Sequence, residues 1–118
     1  MQYLLMYVGE GAQFQRDKVE ASLASIPGVA AMRSQGAVAC ILECEFSVAG
    51  DSTIVRLSED QETVSVHGTG PAATQFVVDF QRTYSEPLHL IDTDYSFDHV
   101  LDGRQSAGDV RRWLEAPS

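Results

Sequence analysis

The chain predicts an α+β fold: a mixed, largely antiparallel sheet of about five to six strands, with two main helices on one face and a short C-terminal helix. Three observations predict it. Short apolar runs with strand character outnumber helical stretches, the runs in the middle follow one another across tight polar turns as hairpins do, and each long amphipathic segment carries one apolar stripe suited to lying on a sheet.

Tyr3 to Val8 is apolar and closed by Gly9-Glu10-Gly11, the length and punctuation of a central strand. From Gln13 to Ile26, Val19, Leu23 and Ile26 recur at helical spacing, charged residues crowd the first turns, and Pro27-Gly28 stops the pattern. Val29 to Arg33 reads as a short strand, turned by Ser34-Gln35-Gly36 onto a long strand from Ala37 to Val48. Thr53 to Leu57 and Thr63 to His67 form a second hairpin across Ser58-Glu59-Asp60-Gln61, with Val55, Leu57, Val64 and Val66 on the core side and His67 facing solvent. Gly70-Pro71 opens the second helix, whose stripe is Phe76, Val77, Phe80 and Tyr84, and Pro87 ends it. Leu88 to Ile91 is a last short strand that turns His89 away from Leu88 and Leu90. Ser106-Ala107-Gly108-Asp109 resembles a capping box with Asp in place of Glu, and Val110, Trp113 and Leu114 follow at helical spacing, with Trp113 anchoring the short helix to the body.

The resulting order, βαβ-like ends around antiparallel hairpins, is similar to the ferredoxin-like plan with an extra hairpin. The likeness is one of topology and implies no activity.

A chain of 118 residues with 44% hydrophobic and 21% charged residues reads as a single domain spanning 1–118, with apolar content ample for a core. Its longest apolar stretches fall far short of the roughly 20 residues that span a bilayer, so no membrane association is expected. The N-terminal residues lack the basic segment and cleavage site of a secretory leader, which favours the cytoplasm. Seventeen acidic against eight basic residues give a net charge of −9. That surplus repels nucleic-acid phosphates and attracts a basic surface, so a basic protein partner is expected and nucleic acid is not.

Cys40 and Cys44 lie four apart in a strand, about 13 Å, beyond the roughly 7 Å a disulfide allows. Both are read as core side chains sharing the face of Val38, Leu42 and Phe46.

Three motifs bear on chemistry. Gly68-Thr69-Gly70-Pro71-Ala72-Ala73 matches the loose dinucleotide fingerprint and precedes a strand ending at Asp92, but the strand before it alternates polar and apolar residues and Pro71 removes an N–H that would meet a phosphate. A strand-to-helix turn accounts for the glycines. Asp92, Asp94, Ser96 and Asp98 fall at the first alternating positions of a calcium loop, yet Phe97 stands where glycine makes the turn and Gly103 where glutamate closes the sphere, so no metal site is assigned. His67, His89 and His99 are joined by no nucleophile elbow or zinc-helix motif, no catalytic residue is assigned, and His99 is read as lying in a loop.

The most concentrated acidic and aromatic segment is 92–102. Asp92, Asp94, Tyr95, Asp98 and Asp102 are the candidate partner-binding residues, with Tyr95 and Phe97 as anchors and the carboxylates meeting arginine or lysine. The expectation is a small acidic non-enzymatic binding module without cofactor. The competing expectation is a small-molecule or nucleotide-binding or enzymatic domain using the Gly68-Thr69-Gly70 turn, with His89 and Asp92 near it.

Overall fold

Leu4 and Met6 alternate with Tyr3, Leu5 and Tyr7 along the first strand, and this period of two decides which side of the sheet meets the helices. The computed structural model describes residues 3–34, 40–84, 86–95 and 97–115. In chain order the elements are β1 (Tyr3–Tyr7), α1 (Arg16–Ser25), β2 (Val29–Arg33), β3 (Cys40–Val48), β4 (Asp51–Ser58), β5 (Val64–His67), α2 (Pro71–Thr83), β6 (Leu88–Asp92), β7 (Asp98–Leu101) and α3 (Ala107–Glu115). Residues 35–39 of the expected turn and long strand lie outside the described residues.

Among the described residues the strands form one seven-stranded sheet in the order β2-β3-β4-β5-β1-β6-β7. Every pairing in it is antiparallel, which corrects the expected mixed sheet of five to six strands. The helical crossovers do join strands that run the same way, but those strands never become neighbours. Three strands separate β1 from β2, and β1 itself sits between β5 and β6. The additional strand is β7, which pairs with β6 from Leu88↔Leu101 to Ile91↔Asp98. Its four residues begin with Asp and His, so local strand preference is weak and pairing defines it.

Local chemistry explains the connections. The β3–β4 hairpin turns on Ala49 and Gly50 alone, both at positive φ (52° and 80°), the handedness that matches strand twist. Gly28 ends the α1–β2 connection at φ 94°, where a Cβ would stand 2.6 Å from the Ser47 carbonyl oxygen, so only glycine fits. At α3 the capping box forms as expected. Asp109 Oδ2 accepts the Ser106 N–H at 2.9 Å and Ser106 Oγ accepts the Asp109 N–H at 3.2 Å.

The core lies between the sheet and the helices. Leu4, Met6, Leu42, Cys44, Phe46, Val55, Leu57, Val64, Val66, Leu88, Leu90 and Leu101 face it from the strands. Phe76 stacks on Phe80, Phe80 on Tyr84, Phe46 meets Phe76 edge-on, and Phe14 closes the row against Tyr84. Each fully buried aromatic of this kind contributes roughly 1.5–3 kcal/mol through burial. No helix among the described residues is long and apolar enough to cross a membrane.

The cysteines part company with the expectation. A register shift between Cys40 and Leu42 places Cys40 opposite Ser58 while Leu42 lies opposite Leu57. Both cysteines are buried as expected, but the bulge turns Cys40 to the face away from the helices, beside Leu5 and Arg56, so that of the two Cys44 alone joins the main core cluster. Burial pushes the Cys44 thiol up to about 12, with Glu43 and Glu45 adding to the shift. His99 also departs from the loop assigned to it. It sits in β7, and its ring stacks on Trp113 of α3 at 4.0 Å and 13°.

Candidate functional site

With the three helices of the described residues gathered on one side, no described element covers the other face of the sheet, and the strand registers align a row of side chains across it. Arg33 lies opposite Glu43, Glu43 opposite Arg56, Arg56 opposite Ser65, Ser65 opposite Leu5, Leu5 opposite Ile91, and Ile91 opposite Asp98. The row crosses all seven strands and changes character along its length. At the β2–β4 side it is an ion-pair cluster: Glu43 Oε1 accepts from Arg56 Nε at 2.7 Å, with Arg33 Nε 3.8 Å from Oε2. At the β1–β6 centre it is apolar, and at β7 it ends in a carboxylate.

Beside that centre stands a second constellation. Tyr7 and His89 are cross-strand partners, and their rings stack with centroids 4.7 Å apart. The Tyr7 hydroxyl donates to Asp98 Oδ2 at 2.7 Å, and His89 Nδ1 lies 3.2 Å from Asp98 Oδ1. The Tyr7 hydrogen bond holds the Asp98 carboxyl below its ordinary value, and His89 adds to the effect. The same bond, with smaller contributions from burial and from the charges of Asp98, Tyr95 and Glu10, pushes the Tyr7 phenol up to about 12. An ionised Asp98 only accepts, so its contact to His89 calls for a proton on Nδ1.

These residues border a groove of about 290 Å³ lined by Leu5, Tyr7, Ile91, Tyr95, Asp98, Glu10 and Glu62, together with Gly9, Gly11 and Thr63. Its floor is Leu5 and Ile91, and its carboxylates come from the β1–α1 connection, the β4–β5 turn and β7. None of the described residues lining it is basic. A hydrogen bond with the neighbouring Asp60 carboxylate, with the charge of Asp60 adding to it, holds Glu62 above its ordinary value. Tyr95 is 76% exposed at the lip of the groove, with φ at 54°. A bulky side chain in the left-handed region is an uncommon and strained conformation. A neighbouring depression of about 250 Å³ shares Leu5 and Thr63 and adds Tyr3, Cys40, Arg56, Ser58 and Ser65.

The five predicted contact residues divide. Tyr95 and Asp98 meet at the groove. Asp94 is exposed in the turn between β6 and β7. Asp102 is exposed below β7, where its Oδ1 accepts the Arg104 N–H and its Oδ2 lies 3.7 Å from Arg104 Nε. Asp92 corrects the expectation, because it is 3% exposed on the helix side of β6 and does not reach the surface. Phe97 is likewise no exposed anchor, being half-buried against Trp113 and His99. Ser96, at position five of the calcium-loop spacing, lies outside the described residues. Among the described residues no group of three or more His, Cys, Asp or Glu side chains is placed to hold a metal ion.

The residues of the competing site are not brought together. Gly68 and Gly70 make the turn into α2, while His89 and Asp92 alternate to opposite faces of β6, two strands away from β5. The α2 N-terminus is also occupied from within the chain. Asp51 Oδ2 accepts the Ala72 N–H at 3.0 Å and stands 3.0 Å from where a Gly70 Cβ would be. A fixed carboxylate there repels the phosphate that a dinucleotide fingerprint would bind.

Sequence reading missed Leu5, Tyr7, Glu10, Glu62 and Ile91. Their signal was present in β1, where Tyr3, Leu5 and Tyr7 are as apolar as the core positions between them. A strand apolar on both faces, in a sheet with helices on only one, implies an apolar patch on the open side. Comparison with protein families, curated proteins and solved structures gives no match.

Proposed function

We propose that the protein is a small acidic non-enzymatic binding module whose open sheet face receives a basic protein partner. The observation that carries this reading is the groove over Leu5 and Ile91: two tyrosines, three carboxylates and no basic lining residue, on a chain of net charge −9. An apolar floor inside a charged rim is the arrangement of protein interfaces, where an aromatic anchor is surrounded by groups that set partner choice and association rate. Tyr95 supports the reading, since the chain holds a large ring 76% exposed at the lip of the groove on a backbone at positive φ. The split unit β5-α2-β6, with β1 between its strands, supports a likeness of the order β4-β5-β1-β6 to the ferredoxin-like plan, which by itself implies no activity.

The test is affinity capture with wild-type protein and with Glu10→Lys/Glu62→Lys, at low and high salt, followed by titration of the captured protein against both baits. A basic partner that leaves as salt rises and binds the double variant at least tenfold more weakly supports the reading. A partner held equally by both baits refutes the assignment of the face. Among the described residues only the Tyr7-Asp98-His89 constellation favours chemistry, because it orients an imidazole. Retained partner binding with lost turnover in His89→Ala would be its mark.

A further inference from the structure

Resting on that reading, we propose that the groove accepts a single arginine side chain of the partner protein, its guanidinium meeting the carboxylates of Glu10, Glu62 and Asp98 and its methylene stem lying on Leu5 and Ile91. Four features of the groove select this occupant. Its volume of about 290 Å³ falls just below the roughly 300–1,000 Å³ of sites that enclose small-molecule ligands, which suits one long side chain entering from outside. Its floor is apolar and its rim anionic, so an amphipathic side chain is matched along its length, stem to floor and charge to rim. Carboxylates approach from three separate elements, and a planar fork with five donors can meet several acceptors at once where a compact ammonium meets fewer. Tyr7 and Tyr95 flank the opening with aromatic surface, on which a guanidinium stacks.

Asp98 is held ready for this contact. Among the described residues each of its oxygens has one internal donor, Tyr7 on Oδ2 and His89 on Oδ1, and the two contacts fix the carboxylate plane for an incoming fork. Tyr7 and His89 are therefore positioning residues. A second copy of this chain is a poor occupant, since two bodies of net charge −9 repel.

The test uses the full chain and titrates the Leu5 and Ile91 methyl resonances with four probes: acetyl-Gly-Arg-Gly-amide, its lysine and citrulline counterparts, and agmatine. The arginine peptide is expected to shift both methyls, the lysine peptide to bind at least roughly threefold more weakly, and the neutral citrulline peptide to leave them unmoved. Tyr95→Ala and Glu62→Gln, both surface changes, are expected to weaken arginine-peptide binding roughly two- to fivefold each without changing the melting curve beyond a degree or so. Equal affinity for arginine and lysine overturns the guanidinium assignment while leaving the binding-module reading in place. Agmatine binding as tightly as the peptide overturns a protein side chain as the occupant in favour of a free small cation. Unmoved methyls with every probe overturn the groove. If the basic partner captured above still binds, the failure is of this inference alone; if no basic partner binds either, both readings fall.

Discussion

Removing the Asp51 carboxylate should destabilise the fold while leaving the open face intact. The N-cap residue of α2 is Gly70, which has no side chain with which to cap the helix, and Asp51 reaches from the start of β4 to accept the Ala72 N–H at 3.0 Å. Asp51→Ala leaves that donor to water and removes a negative charge from the positive end of the helix. Loss of a capping acceptor costs about 0.5–2 kcal/mol and loss of the charge about 0.3–1 kcal/mol. Because Asp51 is half-buried and the two contributions overlap, the expected net loss is about 1–2 kcal/mol, a fall of roughly 3–8 °C in Tm. Asp51→Asn keeps an acceptor oxygen and should recover about half of the loss. The assay is urea unfolding followed by circular dichroism, with groove binding measured on the same samples. A change below about 0.3 kcal/mol for Asp51→Ala would show that water caps the helix equally well and would refute the argument. Weakened groove binding in a variant that remains folded would refute the separation of the two faces.

The pH response should carry the Tyr7–Asp98 bond at both ends. The folded-state value of Asp98 is depressed, so its contribution is present above the ordinary carboxylate range and is lost as pH falls through the folded value; Tyr7→Phe should raise the Asp98 midpoint followed by carboxyl NMR. The folded-state value of Tyr7 is raised to about 12, so its contribution is complete below the ordinary phenol value near 10 and is lost between about 10 and 12, and urea midpoints for Tyr7→Phe should be flatter there. Iodoacetamide should label Cys40, 8% exposed where it borders the depression on the open face, before Cys44, which is 1% exposed and whose thiol at about 12 leaves a thiolate fraction of only ~10⁻⁴ at pH 8; equal rates in peptide mass mapping would count against the bulge. Tyr95→Asn puts a residue tolerant of positive φ at 54° and should raise stability by about 0.5–1 kcal/mol while weakening the groove's arginine binding; a loss of stability would show that the ring is packed after all.

Much of the scaffold was legible because its signals are local. Phe76, Val77, Phe80 and Tyr84 at helical spacing, Gly70-Pro71 before them, and Ser106 with Asp109 each encode their element within a few residues, and α2 and α3 form there. What escaped depends on partners distant in sequence. Strand β7 exists by pairing with β6, the antiparallel sheet follows from which strands intervene between crossover partners, and Cys40 changes face through a one-residue shift against β4. The site divides in the same way. Clustered charge and aromatics singled out Tyr95 and Asp98, but composition says nothing about orientation, and it included Asp92, which alternation along β6 sends to the helix side.

The two faces of β1 explain why the groove falls where it does. Strands at the edges of the sheet can keep their open side polar, but β1 is central, and Tyr3, Leu5 and Tyr7 between Leu4 and Met6 make it apolar on both sides. The helices cover only one of those sides. On the other, Leu5 meets Ile91 in register and Tyr7 stacks on His89, so the apolar surface is condensed at one spot while Arg56 and Glu43 make the far end of the same row polar. An apolar patch left open invites nonspecific association. Here it is ringed by Glu10, Glu62 and Asp98, which repel other acidic surfaces, including this chain's own, and admit cationic ones. On the proposed reading, the ring turns a general adhesive surface into a selective one. Neutralising it with Glu10→Gln/Glu62→Gln should therefore raise self-association in sedimentation while lowering affinity for arginine. A double variant that stays as monodisperse as the parent would show that the rim has no such excluding role.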